Sequence, residues 1–255
     1  MRFDVLSVFP QMFEPYLSAS IMGRARAAGV FEAYAHDLRD WTHDRHRTVD
    51  DAPFGGGQGM LMKPAPLFEA VRSISAEGET RPHVVFFSPC GARFDQGVAA
   101  RLAQRERLLL VCGRYEGMDE RAYELADETL SLGDFVLTGG ELAALCVIDA
   151  VVRLLPGALG DEMSAVDESF SGNLLEYAQY TRPASFEGRE VPAVLLSGDH
   201  ARIAAWRRRS SLERTARWRP DLLEGAALTD EERAIVDELL EKGSKTDGSQ
   251  GQREG

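Results

Sequence analysis

The sequence contains few cysteines and no long hydrophobic run. Its three cysteines, Cys90, Cys112 and Cys146, are odd in number and show no CxxC spacing, so we expect buried thiols rather than a disulfide framework or a zinc site. No stretch approaches the ~18 consecutive apolar residues of a membrane span. Residues 1–4 lead directly into a strand-like pattern instead of a signal peptide. We therefore expect a cytoplasmic protein that does not bind membranes.

The common sequence signatures of phosphate binding are also missing. The glycine-rich segment 55–59 lacks the Gly-Lys-Ser/Thr ending of a P-loop, and no GxGxxG motif follows a predicted strand. A nucleotide-sugar or NAD enzyme is therefore disfavoured. The net charge of −12 also argues against a surface that binds phosphates throughout, because Lys and Arg dominate such contacts.

One segment departs from this acidic character. Residues 202–219 contain a single acid, Glu213, and two tryptophans, Trp206 and Trp218, which are better explained as core residues than as stacking platforms. A local basic stripe on an acidic protein can bind RNA, although a solvated helix face explains it equally well. The stripe consists of seven arginines: Arg202, Arg207, Arg208, Arg209, Arg214, Arg217 and Arg219.

Strands and helices alternate along the first 160 residues. This alternation predicts an α/β domain with a mostly parallel sheet, whose strand ends carry the ligand loops. The helix expected over 140–154 places Leu142, Leu145, Ile148, Val152 and Leu155 on one stripe. The predicted strands are 2–9, 31–38, 83–87, 108–111 and 128–132, and the other predicted helices are 12–28, 66–76 and 94–105.

The remaining chain reads as a linker followed by a small helical domain. Residues 161–173 are acidic and Ser-rich, so we place the boundary of the first domain, 1–160, there. In the second domain, 174–243, Asp199 is a candidate cap for a helix through Arg208, and Thr229-x-x-Glu232 is a capping box that opens a helix ending at Gly243. Residues 244–255 lack apolar content and are expected to be disordered.

Three glycine-containing turns follow predicted strands and suggest one shared pocket. They are Ser88-Pro89-Cys90-Gly91, residues 112–117 and residues 131–140. Thr138-x-x-Glu141 fits a capping box, which would place Gly139 and Gly140 in the first turn of a helix with free N–H groups. The turns carry few basic side chains, so they suit a nucleoside or another ligand of little net charge better than a triphosphate.

Several polar residues have both a functional and a structural explanation. The long segment 39–60 is expected to be functional, and its histidines, His43 and His46, match no common metal-ligand spacing, so RNA contact or loop packing is favoured over metal binding. Arg153 follows Asp149 by one turn, which fits a simple i,i+4 ion pair. Composition by itself leaves the acidic pair in the linker at 167–168 as solubilising charge.

These motifs, taken together and in this order, closely resemble those of the TrmD family of bacterial tRNA (guanine-N1)-methyltransferases, a SPOUT-class family. The resemblance covers about residues 1–240. Its motifs are Trp-Thr-His-Asp-Arg-His-Arg at 41–47 with Thr-Val-Asp-Asp at 48–51, the loop 55–62, Ser88-Pro89, and residues 111–117, 133–142, 180–183 and 194–200.

The resemblance implies a fold, an activity and partners. The implied fold is a SPOUT-type sheet, mostly parallel, with a deep trefoil knot in residues 88–141 and a small helical C-terminal domain. The implied activity is methylation, by S-adenosylmethionine, of N1 of the guanosine immediately 3′ of the anticodon in tRNA, nucleotide 37. A homodimer with shared active sites and dependence on Mg²⁺ are also implied, although no ligand cluster for that ion can be assigned. The rival interpretation is a non-catalytic RNA-binding protein with a vestigial cofactor pocket.

Site residues carry over by motif position. Asp50, Gly59 and His46, with Arg207 and Arg208 of the basic stripe, are expected to contact the RNA, and Arg153 is expected to stabilise charge on the guanine. The implied cofactor-binding residues are Phe87, Ser88, Pro89, Gly113, Tyr115, Glu116, Gly117, Ser131, Leu132, Gly133, Asp134, Phe135, Val136, Leu137, Gly139 and Gly140.

The position of the expected general base departs from the family pattern. The family carries an aspartate in the motif Ser-Ala-x-x-Asp-Ser-Phe, whereas residues 164–170 here read Ser-Ala-Val-Asp-Glu-Ser-Phe. Glu168 occupies the aligned position, and Asp167 precedes it. We assign Glu168 as the base that removes the N1 proton of guanine and keep Asp167 as the alternative.

Overall fold

The computed structural model describes residues 1–159 and 168–247. The chain forms two compact units, Met1–Glu162 and Met163–Gly255. Asp167, the alternative base, lies outside the described residues. So do residues 161–167 of the predicted linker and residues 248–255 of the predicted tail. No helix among the described residues is long and apolar enough to cross a membrane.

The first unit is built on a five-stranded parallel sheet. The strands of this unit are β1 (Arg2–Ser7), β2 (Glu32–Asp37), β3 (Asp50–Asp51), β4 (Leu61–Met62), β5 (His83–Arg93), β6 (Arg107–Val111) and β7 (Glu128–Ser131). The sheet has the order β2-β1-β6-β5-β7 with every neighbouring pair parallel, while β3 and β4 form a separate antiparallel pair. The strands predicted from the sequence are therefore confirmed, to within two residues at most ends.

Helices cover both faces of this sheet. They are α1 (Glu14–Leu17), α2 (Ser20–Ala27), α3 (Pro64–Ala76), α4 (Gln96–Leu102) and α5 (Glu141–Val152), with 3₁₀ turns at Pro10–Met12, Leu38–Trp41 and Glu120–Leu125. The central strand β6 is buried along its whole length. Leu108 and Leu110 belong to one hydrophobic core, and Leu109 and Val111 belong to the core on the opposite face. The predicted mostly parallel α/β architecture is confirmed.

Two local predictions for this unit are wrong. The helix expected over 12–28 is interrupted, because α1 ends at Leu17 and α2 begins at Ser20. The turn expected at residues 88–91 is a register shift within β5, which continues to Arg93. A Cβ on Gly91 would stand 2.5 Å from the carbonyl carbon of Leu130, so glycine is required there by close strand approach and not by chain reversal.

The apolar stripe predicted for α5 is confirmed at Ile148 and Val152, which are fully buried, but is wrong at Leu142. Leu142 is 51% exposed, whereas the sheet side of the helix is formed largely by Ala143, Ala144, Val147 and Val151. Small side chains at these positions allow the helix to lie close to the sheet, so residue size was a misleading guide to burial. The expected burial of the thiols is confirmed for Cys112 and wrong for Cys90 and Cys146, which are exposed.

The second unit contains two long helices. Its elements are the strands β8 (Ser185–Phe186) and β9 (Arg189–Glu190), the helices α6 (His200–Trp218) and α7 (Asp230–Asp247), and 3₁₀ turns at Ser171–Asn173, Ala193–Leu196 and Pro220–Gly225. Asp199 caps α6 by accepting from the N–H of Arg202 at 3.1 Å. The capping box is confirmed in both directions, at 2.9 Å and 3.2 Å between Thr229 and Glu232.

Two further differences from prediction concern the helix ends. Helix α7 continues to Asp247, past the end predicted at Gly243 and past the tail boundary at residue 244. An internal glycine costs a helix only about 1 kcal/mol relative to alanine and does not by itself end it. Trp218 is 62% exposed, so the prediction that both tryptophans are core residues is wrong for this one.

Candidate functional site

The register shift within β5 and the turns that follow β6 and β7 enclose a cavity of about 230 Å³. Fifteen of the sixteen residues expected to bind a cofactor line it, and Asp134 is the exception. The lining also includes residues that were not among the expected cofactor ligands: Arg114, Met118, Tyr123, Leu130, Thr138 and Ala143. The turns that the sequence placed in one pocket are thus brought together by the parallel sheet.

The turn that precedes α5 lies directly against the turn that follows β6. The N–H of Gly140 donates to the carbonyl of Gly113 at 2.9 Å, and a Cβ on Gly140 would stand only 2.9 Å from the Cα of Cys112. The predicted free N–H at Gly140 is therefore wrong, because that group is used within the protein. The capping box predicted from Thr138 is wrong as well, since the N-cap of α5 is Gly140.

The carboxylate of Glu141 holds the wall of the cavity together instead. It is fully buried and accepts from the hydroxyl of Ser7 at 2.6 Å and from Nε of Arg114 at 2.9 Å. Arg114 also donates to the carbonyl of Thr138 at 3.2 Å and stacks over the ring of Phe9 at 4.6 Å. Arg114 immediately precedes the predicted ligand Tyr115, but its charge gave no sign of a buried partner 27 residues later.

The rim of the cavity is joined to the β3–β4 hairpin. The N–H of Glu116 donates to the carbonyl of Met60 at 3.0 Å, and the N–H of Met62 donates to the carbonyl of Gly117 at 2.9 Å. Gly59 lies so close that a Cβ there would stand 2.3 Å from Cγ of Glu116. Gly59, a predicted RNA contact, therefore lies beside Glu116, a predicted cofactor ligand.

Asp50 is close to Tyr115 on the same rim. Burial raises the pKa of the Tyr115 phenol, and the negative charge of Asp50 and a hydrogen bond to it raise the pKa further. Burial also raises the pKa of the Cys112 thiol well above its ordinary value, with the charge of Glu141 acting in the same direction. A fully buried thiol whose pKa is raised is a poor nucleophile.

Arg153 lies at the other end of α5, where it is the C-cap residue. Its N–H donates to the carbonyl of Asp149 at 3.1 Å, and the carboxylate of Asp149 accepts from the hydroxyl of Tyr16. This hydrogen bond is the main reason that the pKa of Tyr16 is raised to about 12. The twelve residues of Glu141–Val152 span about 18 Å of helix, which separates Arg153 from the cavity wall of its own chain.

The histidine-containing loop is organised by Asp44. Its carboxylate accepts from the N–H groups of His46 and Thr48, both at 2.9 Å, while the imidazole of His46 is exposed. His43 contacts Glu69 at 2.8 Å. Within residues 1–159 and 168–247, no group of three or more His, Cys, Asp or Glu side chains is arranged to hold a metal ion.

In the second unit, two predicted RNA contacts have different surroundings. Arg208 forms a forked ion pair with Glu232, at 2.6 Å and 3.1 Å, and this contact is the main reason that the pKa of Glu232 is lowered to about 2. Arg207 is exposed and stacks on the ring of Tyr177 at 4.8 Å. Glu168, the expected base, is half-buried at the start of the described part of this unit.

Comparison with known protein families identifies the chain. The family described as tRNA (Guanine-1)-methyltransferase TrmD matches residues 1–225, which include the cavity and the whole of α6. The chain belongs to the TrmD family. Among curated relatives, a tRNA (guanine-N(1)-)-methyltransferase from Syntrophotalea carbinolica is 54% identical over 241 residues, covering 94% of this chain and 96% of the relative.

Other relatives show the same extent of similarity to this TrmD-family chain. A tRNA (guanine-N(1)-)-methyltransferase from Anaeromyxobacter sp. is 54% identical over 239 residues, covering 93% of this chain and 96% of the relative. One from Brevibacillus brevis is 52% identical over 240 residues, covering 94% and 98%. The similarity therefore extends over both units, and not only over the sheet that carries the cavity.

Proposed function

We propose that this TrmD-family protein transfers a methyl group from S-adenosylmethionine to N1 of the guanosine immediately 3′ of the anticodon in tRNA, nucleotide 37. The observation that carries the proposal is the cavity, because fifteen residues of the family-like turns converge on it. The alternative, a non-catalytic RNA-binding protein with a vestigial pocket, is disfavoured because the turns enclose an open cavity.

The lining suits a nucleoside that carries a sulfonium group. Backbone groups and apolar side chains can hold an adenosine, and the carboxylate of Glu116 with the ring of Phe135 can face a positive charge. The cation at the wall, Arg114, is already neutralised by Glu141, so the cavity is not built for a triphosphate. When bound, S-adenosylmethionine supplies an electrophilic methyl group. The chain must orient it and keep water away.

The acceptor requires a base, because N1 of guanine carries a proton. We assign proton removal to Glu168, with Asp167 as the alternative, and stabilisation of the negative charge that develops on the base to Arg153. In the proposed reaction, N1 of guanine would lose its proton to the carboxylate and form the N1–CH₃ bond. The bond between the methyl carbon and the sulfur of the donor would break, leaving S-adenosylhomocysteine.

A shared active site between two subunits is part of the proposal. Arg153 is about 18 Å along α5 from the cavity wall of its own chain, so a second subunit would have to bring an arginine to it. The first unit also exposes apolar side chains around the cavity and on the outer face of α5, with Val136 90%, Phe135 57% and Leu142 51% exposed. Two subunits would bury these side chains.

We propose that the first unit contains a trefoil knot. Strand β5 separates β6 from β7, yet Gly140, after β7, donates to Gly113, after β6. Residues 132–139 must therefore cross the carboxyl end of β5 to complete the cavity. We propose that the chain is threaded at this crossing and that the second unit is the small helical C-terminal domain of a SPOUT-type protein.

The remaining proposals concern tRNA and Mg²⁺. Asp50, Gly59 and His46 are assigned to the surroundings of the target guanosine, and Arg207 and Arg208 to the RNA backbone. Arg208 would have to do so while paired with Glu232, which makes Arg207 the stronger candidate. We also propose that the reaction requires Mg²⁺, as the family resemblance implies, and assign no ligands to this ion.

Methyl transfer with a matched pair of substrates tests the proposed function. Undermodified tRNA is incubated with labelled S-adenosylmethionine and Mg²⁺, in parallel with the same tRNA in which the guanosine after the anticodon is replaced by adenosine. We expect label in the first tRNA and background in the second. Equal labelling of both would contradict the position assignment, and labelling of neither would contradict the enzyme assignment.

A further inference from the structure

Phe54 is fully exposed at the tip of the loop that joins β3 to β4. A phenylalanine normally gains free energy when it leaves water, so a ring held entirely in solvent forgoes that gain. The proposed methyl-transfer chemistry assigns this ring no role. The full exposure of the Phe54 ring therefore requires another explanation.

The backbone that follows Phe54 is formed largely by glycines in the left-handed region. Gly55, Gly56, Gly57 and Gly59 all have positive φ, at +85°, +80°, +132° and +80°. Side chains other than glycine are strained in this region of backbone conformation. No described atom lies within 4 Å of the place where a Cβ would stand on Gly55 or Gly56, so the tip projects into open space.

The base of the same loop is fixed to the cavity rim. Glu116 and Gly117 exchange backbone hydrogen bonds with Met60 and Met62, and Gly59 packs directly against Glu116. Only residues 55–58 separate Gly59 from Phe54, so the Cα of Phe54 stays within about 18 Å of the Cα of Gly59. An exposed aromatic ring is thus held near the place where the proposed reaction occurs.

An exposed phenyl ring on a protein proposed to bind tRNA favours a nucleobase as its occupant. Phenyl rings stack on the flat faces of unpaired bases regardless of base identity, and the exposed cationic side chain of Arg45 on the preceding loop can contact a phosphate. A single ring is too small a surface for a protein partner. We propose that Phe54 stacks on a nucleotide that neighbours the target guanosine in the tRNA. This inference rests on the proposed function.

The test is a cycle between protein and RNA changes. Phe54→Ala, Phe54→Leu and Phe54→Trp are compared with wild type for tRNA binding, and for KM and kcat in methyl transfer. We expect Phe54→Ala to weaken tRNA binding by about 5- to 150-fold, with a matching rise in KM. We expect Phe54→Leu to resemble Phe54→Ala and Phe54→Trp to resemble wild type, because stacking needs a ring.

Abasic substitution of the nucleotides on each side of the target identifies the stacked base. At that position wild type loses the same factor in affinity as Phe54→Ala does on normal tRNA, and Phe54→Ala loses nothing more. If Phe54→Ala binds normal tRNA as wild type does, or if every abasic tRNA weakens both proteins equally, the stacking proposal is overturned. Wild type that binds tRNA without methylating it overturns the proposed function instead, and the binding cycle still decides the stacking.

Two controls separate stacking from folding. Tyr34→Ala removes a ring that is 46% exposed on β2 and is expected to bind tRNA as wild type does. The affinity of each variant for S-adenosylmethionine, measured by calorimetry without tRNA, is expected to stay within twofold of wild type. Loss of that affinity in Phe54→Ala together with Phe54→Trp would show a damaged cavity and overturn a specific role for the ring.

Discussion

Nε of Arg114 donates to Oε2 of Glu141 across 2.9 Å, and the carboxylate that accepts this bond is fully buried. The same carboxylate accepts from Ser7 at the end of β1. The pair therefore ties three parts of the first unit together at the cavity: the end of a strand, the turn after β6 and the start of α5. A buried ion pair of this kind is costly to break on one side only.

Glu141→Gln is expected to lower the free energy of unfolding by about 3–5 kcal/mol, because it leaves the guanidinium of Arg114 partly buried without its counter-charge. Urea unfolding followed by circular dichroism measures the change. The double variant Arg114→Met with Glu141→Gln is expected to recover part of the loss. A double variant whose loss equals the sum of the losses measured for Glu141→Gln alone and Arg114→Met alone would show that the pair is not coupled.

Gly140→Ala is expected to weaken S-adenosylmethionine binding by about 5- to 150-fold, since the new methyl group would stand 2.9 Å from the Cα of Cys112 and the two turns would have to separate. Calorimetric titration of the cofactor measures the effect. Gly97→Ala in α4 is the matched control, because its nearest contact is Asp95 Oδ1 at 3.3 Å. Equal cofactor affinity in both variants would contradict the role given to the close approach.

The buried carboxylate of Asp4 is expected to make folding stability depend on acid pH. Burial alone would raise its pKa, but hydrogen bonds from His36, Arg2 and Arg107 outweigh burial and lower the pKa from 3.8 to about 2. Because the folded pKa is the lower one, the ionised group stabilises the folded state above about pH 4. That contribution, about 2 kcal/mol, is lost as the pH falls towards 2.

Urea unfolding of wild type and Asp4→Asn between pH 2 and pH 6 isolates this contribution. The stability difference between the two proteins is expected to be constant above about pH 5 and to shrink by about 2 kcal/mol at pH 2. A difference that does not change with pH would show that Asp4 titrates normally in the folded protein.

Glu168→Gln is expected to lower kcat for methyl transfer by about 10²–10⁴-fold with little change in affinity for S-adenosylmethionine, because it removes a proton acceptor and keeps the shape of the side chain. Asp167→Asn is its matched control and is expected to retain most of the wild-type kcat. Near-normal turnover in Glu168→Gln together with a large loss in Asp167→Asn would transfer the role of base to Asp167.

Leu142→Glu is expected to convert a dimer into monomers and to abolish methyl transfer, because it places a charge on the exposed apolar face of α5. Light scattering at micromolar concentration measures the oligomeric state. Leu196→Glu changes a leucine that is 64% exposed in the second unit and is expected to leave the dimer intact. A wild-type protein that is monomeric under these conditions would contradict the shared active site.

The sheet could be predicted from the sequence because its signals are local. The run from Leu108 to Val111 is apolar on both faces, as a central parallel strand must be, and glycines mark the points where strands end. Features that depend on long-range approach were predicted wrongly. Gly91 resembles a turn residue in the sequence, but it is required because β7 passes within contact distance.

In the candidate site, too, the local features could be predicted from the sequence and the long-range contacts could not. Its lining follows from motif positions, since the turns that resemble the family's turns meet at one end of the sheet. The contacts that hold the lining in place could not be predicted from motif positions. Thr138 and Glu141 have ideal capping-box spacing, but the carboxylate of Glu141 accepts from Ser7 and Arg114 instead. Residue spacing describes local hydrogen bonding, whereas the partner 27 residues away is decided by tertiary packing.

Two hydroxyl groups hold the segment after Glu168, one within the segment itself and one on α6. Ser169 accepts from the N–H of Glu176 at 3.0 Å, and the N–H of Leu175 donates to the hydroxyl of the fully buried Thr215 at 2.9 Å. The proposed base is thus fastened, on its C-terminal side, to the helix that carries the arginines. Selection for a better RNA-binding surface on α6 would therefore also tune the chemical step, so affinity and turnover are expected to evolve together in this unit.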